Sequence, residues 1–105
     1  MLHICGERIR LELYADYPSH AVNWAVSKHD LSLRAGQALF RRTVVGGMDS
    51  RGVIVDGSPE AIRGAVRRLI ADSGTAGIIL GADCTLPTDI PVLNIRTAVE
   101  SVWMA

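Results

Sequence analysis

The chain has 105 residues, 49% of them hydrophobic and 21% charged, which suits one globular domain and is too short for two. Its 11 basic and 11 acidic residues give a formal net charge of zero, without the basic excess typical of nucleic-acid-binding proteins. Residues 73–82, the longest uncharged stretch of the C-terminal half, fall well short of the roughly 20 that a membrane span needs. The N-terminal residues lack the pattern of a signal peptide, so we expect a cytoplasmic protein that binds neither membrane nor nucleic acid.

The first half of the chain alternates short apolar runs with weaker helical patterns. Residues 2–5 predict a strand that ends at Gly6, and residues 8–15 predict a short helix, although their apolar positions are evenly spaced. A second strand, a weak helix and a third strand are expected over residues 21–26, 32–40 and 43–46.

The clearest predicted element is a helix that follows Ser58. Ser58 suits the N-cap, Pro59 suits the first helical position, and Gly74 ends the pattern. A single apolar stripe runs along this helix through Ile62, Val66, Leu69 and Ile70.

Three further segments complete the pattern. Residues 46–58 are rich in glycine and predict a loop in which the apolar residues 53–55 are packed. Residues 77–81 predict a fourth strand that is apolar on both faces, as buried parallel strands are. A last helix is marked by Val92, Ile95, Val99 and Val102.

The order of elements is strand then helix, four times over, which predicts an α/β fold with parallel strands. A closed eight-stranded βα barrel takes about 250 residues. We therefore expect either a (βα)4 half of a TIM-type (β/α)8 barrel or a small open sheet.

A candidate metal site follows from the first strand. His3 and Cys5 are two positions apart and share one face of the strand, while Leu2 and Ile4 share the other. In a βα barrel the apolar face packs on helices, so His3 and Cys5 should face the lumen, and Cys84 should reach the same rim just after the fourth strand. One imidazole and two thiolates are zinc ligands by type, with a fourth position left open. Two buried inert cysteines with a packed histidine, or a disulfide, are the alternatives.

At these residues the sequence resembles the C-terminal half of the uroporphyrinogen decarboxylase superfamily. The resemblance implies strands five to eight of a (β/α)8 barrel, with residues 1–105 forming a single half-barrel domain. The matching stretches are residues 2–6, 23–24, 45–49, 57–63, 77–87 and 91–95.

One branch of that superfamily comprises zinc methyltransferases, which move a methyl group between a corrinoid and a thiol such as coenzyme M. A His-x-Cys pair and a distant Cys bind the zinc in that branch, and His3, Cys5 and Cys84 match this pattern. The resemblance therefore implies zinc as cofactor, a corrinoid as methyl donor, and a small-molecule thiol or a corrinoid protein as partner.

The other branch decarboxylates uroporphyrinogen in porphyrin biosynthesis, and the chain departs from its pattern. Ala82 stands where that branch has a histidine after the last strand, and Gly47 replaces an asparagine in the turn after strand seven. A uroporphyrinogen decarboxylase-like protein and a non-catalytic half-barrel remain the alternative functions.

Three polar residues near the predicted rim are candidates for substrate binding. Asn23 is expected to point into the lumen from the second strand. Asp49 lies in the glycine-rich segment, where it either contacts substrate or sits in a solvated turn. Asp83 precedes Cys84, where it either orients a ligand or caps a turn.

The two outer strands of a half-barrel are open edges. Edge strands expose unpaired N–H and C=O groups that invite pairing with another chain. We therefore expect a homodimer, in which residues 77–81 of each chain pair with residues 2–5 of the other, or a separate N-terminal half-barrel chain.

Overall fold

The computed structural model describes residues 1–6 and 8–104. Strands and helices alternate along this part of the chain, and two short turns of 3-10 helix, at Leu11–Tyr14 and Val26–Lys28, join them. The strands are β1 (Leu2–Ile4), β2 (Ala21–Trp24), β3 (Thr43–Met48) and β4 (Ile78–Ala82). The helices are α1 (Leu33–Phe40), α2 (Val53–Asp56), α3 (Pro59–Ser73) and α4 (Val92–Trp103).

The four strands form one parallel sheet in the order β1-β2-β3-β4. Val22 of β2 pairs with Leu2 on one side and Val44 on the other, and Val44 in turn pairs with Ile78. Sequential order with parallel strands is the arrangement of successive units in a βα barrel. The predicted α/β half-barrel is thereby confirmed.

The two faces of the sheet differ as the alternation predicts. Ile4, Val22 and Trp24 are buried on the face that the helices cover, within one apolar cluster. His3 and Asn23 are paired across β1 and β2 and contact each other on the opposite face, which corresponds to the barrel lumen.

Helix α1 packs against the sheet through a glycine. An added Cβ at Gly36 would lie 2.1 Å from Trp24 Cη2, so no larger residue fits without movement. The Trp24 ring lies 5.5 Å from the Phe40 ring and donates through Nε1 to the Leu31 carbonyl. These contacts pack α1 against the side chain of Trp24, which belongs to β2, the strand that carries Asn23.

Helix α3 forms as its local signals predict. The Ser58 side chain accepts from the Ala61 N–H at the N-terminus, and Gly74 ends the helix with a φ of 80°. Ile62 and Val66 are completely buried, in a second apolar cluster that includes Met48 at the end of β3.

The short helix expected over residues 8–15 is only partly confirmed. This segment forms a single 3-10 turn at Leu11–Tyr14, in which Leu11 is buried and Leu13 is 60% exposed. Alternating apolar residues do not line up on one side of an α-helix, so burial favours a short turn that inserts Leu11 alone.

The third strand is longer than predicted. β3 continues through Gly46 and Gly47 to Met48 because these residues pair with Leu80, Gly81 and Ala82 of β4. Gly47 has a φ of 109°, and an added Cβ would lie 2.3 Å from Leu69 of α3. The expected loop over 46–58 is thus shorter, and residues 53–56 form helix α2.

Helix α4 is correctly predicted, but its packed face is not the apolar one. Thr97, Ala98 and Ser101 are buried against the fold, whereas Val92 is 71% exposed and Val99 is 51% exposed.

On β4, which was expected to be buried on both faces, Ile79 is 53% exposed. In the described part of the chain, no helix is long and apolar enough to cross a membrane.

Candidate metal centre

Three side chains converge at the carboxyl ends of β1 and β4. The ligand atoms of His3, Cys5 and Cys84 all lie within 4.8 Å of one another. The two Sγ atoms are 3.7 Å apart, and Cys84 Sγ is 3.9 Å from His3 Nε2. The cysteines are not bonded to each other, and Cys5 is exposed while Cys84 is half-buried. The alternative of two buried inert cysteines is therefore wrong.

The convergence depends on the curvature of the sheet. β1 and β4 are the outer strands and are separated by β2 and β3, yet the residues that follow them touch. A flat sheet with strands about 4.8 Å apart would hold the outer strands about 14 Å apart. The sheet therefore curls toward its lumen face, as a segment of a barrel wall does.

The environment of Cys84 favours its thiolate. A hydrogen bond from the Thr85 backbone, followed by the contacts with His3 and Cys5, lowers the pKa of Cys84 to about 7. The hydrogen bond and charge of Cys84 raise the pKa of Cys5, because a second negative charge so close by is unfavourable. The two shifts have opposite directions, and they favour Cys84 over Cys5 as the first thiol to ionise.

Asn23 lies on the lumen face of β2, where it supports the site, and its side chain is 5% exposed. Its Nδ2 donates to the backbone carbonyls of Val45 and Ala82, at 2.8 Å and 3.1 Å. Its Oδ1 lies 2.6 Å from His3 Nδ1. The amide thus connects β1, β3 and β4 and leaves no amide hydrogen for a substrate.

Asp83 is 3% exposed and lies beside the candidate ligand Cys84. Its Oδ2 accepts a hydrogen bond from the Ser27 hydroxyl, and its backbone N–H donates to Met48 O at 2.9 Å. Its Oδ1 is buried without a donor among the described residues. The carboxylate therefore ties the end of β4 to the turn after β2 and keeps one acceptor free.

Asp49 follows β3 and closes a local turn, since its Oδ1 accepts from the Arg51 N–H at 2.9 Å. Its carboxylate is not part of the cluster of His3, Cys5 and Cys84. Contacts of Asn23, Asp49 and Asp83 with a substrate remain predictions.

Two supporting residues escaped the sequence reasoning. Ser27 lies in a 3-10 turn without any motif, and its contact with Asp83 spans 56 positions. His29 donates through Nε2 to the Gly6 carbonyl, 2.9 Å away, next to Cys5. Neither residue belongs to a local pattern, so no signal in the sequence would have found them.

Comparison with known proteins identifies the fold and the family of the chain. The structure is similar to a methyltransferase from Methanosarcina mazei, with a TM-score of 0.79 and 21% sequence identity over 98% of this chain. The chain spans 30% of the length of that methyltransferase. No curated protein sequence matches the chain. The uroporphyrinogen decarboxylase family model matches residues 1–103, and the chain therefore belongs to the uroporphyrinogen decarboxylase family.

Proposed function

We propose that the chain binds one zinc ion through His3, Cys5 and Cys84 and takes part in methyl transfer to or from a thiol. The convergence of these three side chains, with ligand atoms within 4.8 Å of one another, carries the proposal. Membership of the family and the fold shared with a methyltransferase support the reaction class.

The distances in the cluster suit the metal. Tetrahedral zinc with Zn–S bonds of about 2.3 Å separates two thiolate sulfurs by about 3.8 Å. The observed distance between the Sγ atoms of Cys5 and Cys84 is 3.7 Å. For a sulfur and an imidazole nitrogen the same geometry requires about 3.6 Å, and Cys84 Sγ lies 3.9 Å from His3 Nε2. Two of the three pairs therefore already match zinc geometry, whereas His3 and Cys5, which lie within 4.8 Å of each other, would have to approach by about 1 Å.

Each residue has a defined part in this proposal. When bound, zinc supplies Lewis acidity that lowers the pKa of a substrate thiol, so that its thiolate is present at neutral pH. His3, Cys5 and Cys84 would hold the metal, and three protein ligands would leave it able to bind a substrate thiol. A corrinoid, free or carried on a corrinoid protein, would be the other partner in the methyl transfer.

We also propose that a second half-barrel completes the site's surroundings. β1 and β4 each have one neighbour in the sheet, and the lumen-facing Ile79 is 53% exposed. On the outside, Val92 and Val99 of α4 present apolar surface to solvent. A second copy of the chain, or a separate N-terminal half, would cover both surfaces at once.

Metal content tests the zinc proposal directly. Protein purified without chelator and dialysed against micromolar zinc is expected to retain about one zinc per chain by elemental analysis. Cys84→Ser and His3→Gln should lose most of it, because each removes one of three protein ligands. His20→Gln is the matched control, since His20 is an exposed histidine outside the cluster. Wild-type protein that stays metal-free would contradict the proposal.

Ligand binding separates methyl transfer from the alternatives. With zinc bound, a small thiol should bind more tightly than to the metal-free chain, and His3→Gln should abolish the difference. Conversion of uroporphyrinogen to coproporphyrinogen would instead support decarboxylation. A stable, metal-free protein that binds neither ligand would support a non-catalytic half-barrel.

A further inference from the structure

We propose that Asn23 is a positioning residue that selects the metal-binding tautomer of His3. The proposal rests on the metal centre proposed above, but it concerns how the chain prepares that centre before any metal arrives. A neutral imidazole carries its proton on either Nδ1 or Nε2, and only a nitrogen without a proton can bind a metal.

The orientation of the Asn23 amide follows from its partners. The carbonyl oxygens of Val45 and Ala82 accept hydrogen bonds but cannot donate them. The atom that faces them, at 2.8 Å and 3.1 Å, must therefore be the NH2 group. A flipped amide would place an oxygen against two other oxygens in a buried site, which is strongly unfavourable.

This orientation determines the proton position on His3. Asn23 Oδ1 faces His3 Nδ1 at 2.6 Å and can only accept, so Nδ1 must carry the proton. In the neutral ring Nε2 then carries no proton, and it lies 3.9 Å from Cys84 Sγ. The backbone carbonyls of Val45 and Ala82 orient the Asn23 amide, and the amide in turn holds His3 in the tautomer that binds a metal through Nε2.

Asn23 also acts on the far side of the cluster. Its donation to the Ala82 carbonyl holds the last residue of β4, two positions before Cys84. One buried amide therefore orients the imidazole from β1 and anchors the strand that carries the distant thiol. Partners that orient metal ligands in this way typically change metal affinity by about 10–100-fold when they are removed.

The first test needs no substitution. Long-range proton–nitrogen correlation spectra of the metal-free wild-type chain, at a pH where histidine is neutral, report which ring nitrogen carries the proton. His3 should show protonated Nδ1 and bare Nε2. His29, whose Nε2 donates to the Gly6 carbonyl, is expected to show the opposite tautomer in the same spectrum. The His3→Gln and His29→Gln variants assign the two signals.

The second test compares two asparagines. Asn94 also donates both amide hydrogens to backbone carbonyls, those of Ile54 and Val55, but lies outside the metal cluster. Asn23→Ala is expected to let His3 populate both neutral tautomers. It should also weaken zinc binding about 10–100-fold in a chelator competition. Asn94→Ala should lose comparable stability while keeping wild-type tautomer and affinity. Asn23→Asp retains the acceptor for Nδ1 and should keep the tautomer even where stability falls.

The outcomes distinguish this inference from the zinc proposal. A His3 ring protonated on Nε2 in the wild-type chain would overturn the role of Asn23, whether or not zinc binds, and this holds even if Asn23→Ala fails to fold. A folded Asn23→Ala variant with wild-type zinc affinity would overturn it as well. Absence of zinc binding with the Nδ1-protonated tautomer in place would instead refute the metal centre alone.

Discussion

Cys5 and Cys84 are 79 positions apart in the chain, yet their Sγ atoms lie 3.7 Å apart at one rim of the sheet. Neither strand pairing nor local sequence joins them, because β1 and β4 are not neighbours. The contact is a product of the curl of the sheet, and it places two thiols of different acidity side by side.

This difference predicts an order of thiol reactivity. In the metal-free chain, alkylation of Cys84 by iodoacetamide should accelerate as the pH rises through about 7, because its pKa is lowered to about 7 and the thiolate is the nucleophile. Alkylation of Cys5, whose pKa is raised, should accelerate only at higher pH. Peptide mapping by mass spectrometry at a series of pH values measures both rates. Faster modification of Cys5 at neutral pH would contradict the assignment.

The close contact of α1 with β2 predicts opposite effects for two glycine substitutions. Gly36→Ala should destabilise the protein by about 1–3 kcal/mol, because the new methyl group collides with the buried Trp24 ring. Gly64→Ala, in α3, should stabilise it by about 0.5–1 kcal/mol, since the nearest atom is the flexible end of Arg68, 3.4 Å away. Urea unfolding curves of the two variants measure the difference, and equal midpoints would refute this account of α1 packing.

The buried carboxylate of Asp83 predicts a role for Ser27 in stability. Ser27→Ala should cost about 1–3 kcal/mol of unfolding free energy, because it removes the donor to Asp83 Oδ2 while Oδ1 already lacks one. Ser27→Thr keeps the hydroxyl and should stay close to wild type. Thermal unfolding of the three proteins measures the effect. If Ser27→Ala unfolds at the wild-type temperature, solvent reaches the carboxylate after all.

The open edges and the exposed face of α4 predict self-association in the absence of another partner. Light scattering at tens of micromolar should give a mass of about twice the 11.3 kDa of one chain. Val99→Glu places a charge on the apolar face of α4 and should shift the protein toward a monomer, whereas Glu100→Ala at an exposed neighbouring position should not. A clean 11.3 kDa wild-type species would contradict the homodimer and leave a separate half-barrel chain as the partner.

Much of the fold was predictable because its signals are local. The cap at Ser58, the proline at position 59 and the apolar stripe through Ile62 and Val66 determine α3 without reference to the rest of the chain. Alternation in β1 likewise places His3 and Cys5 on the lumen side. The strands are separated by long connecting segments, each of which carries an α-helix or a 3-10 turn, and this order leads to a parallel sheet because parallel neighbours need a crossover connection instead of a tight turn.

Other features were decided only when distant segments met. β3 reaches Met48 because β4 offers it a partner, and α4 buries Thr97 and Ala98 because those small residues allow the close approach that its apolar face does not make. The amide of Asn23 joins His3 to the carbonyls of Val45 and Ala82. The residue types that could bind a metal, and the strand ends that carry them, follow from the order of amino acids alone. The curl of the sheet sets the distances among His3, Cys5 and Cys84, and the buried amide of Asn23 sets the tautomer of His3. Both effects depend on contacts between residues far apart in the chain.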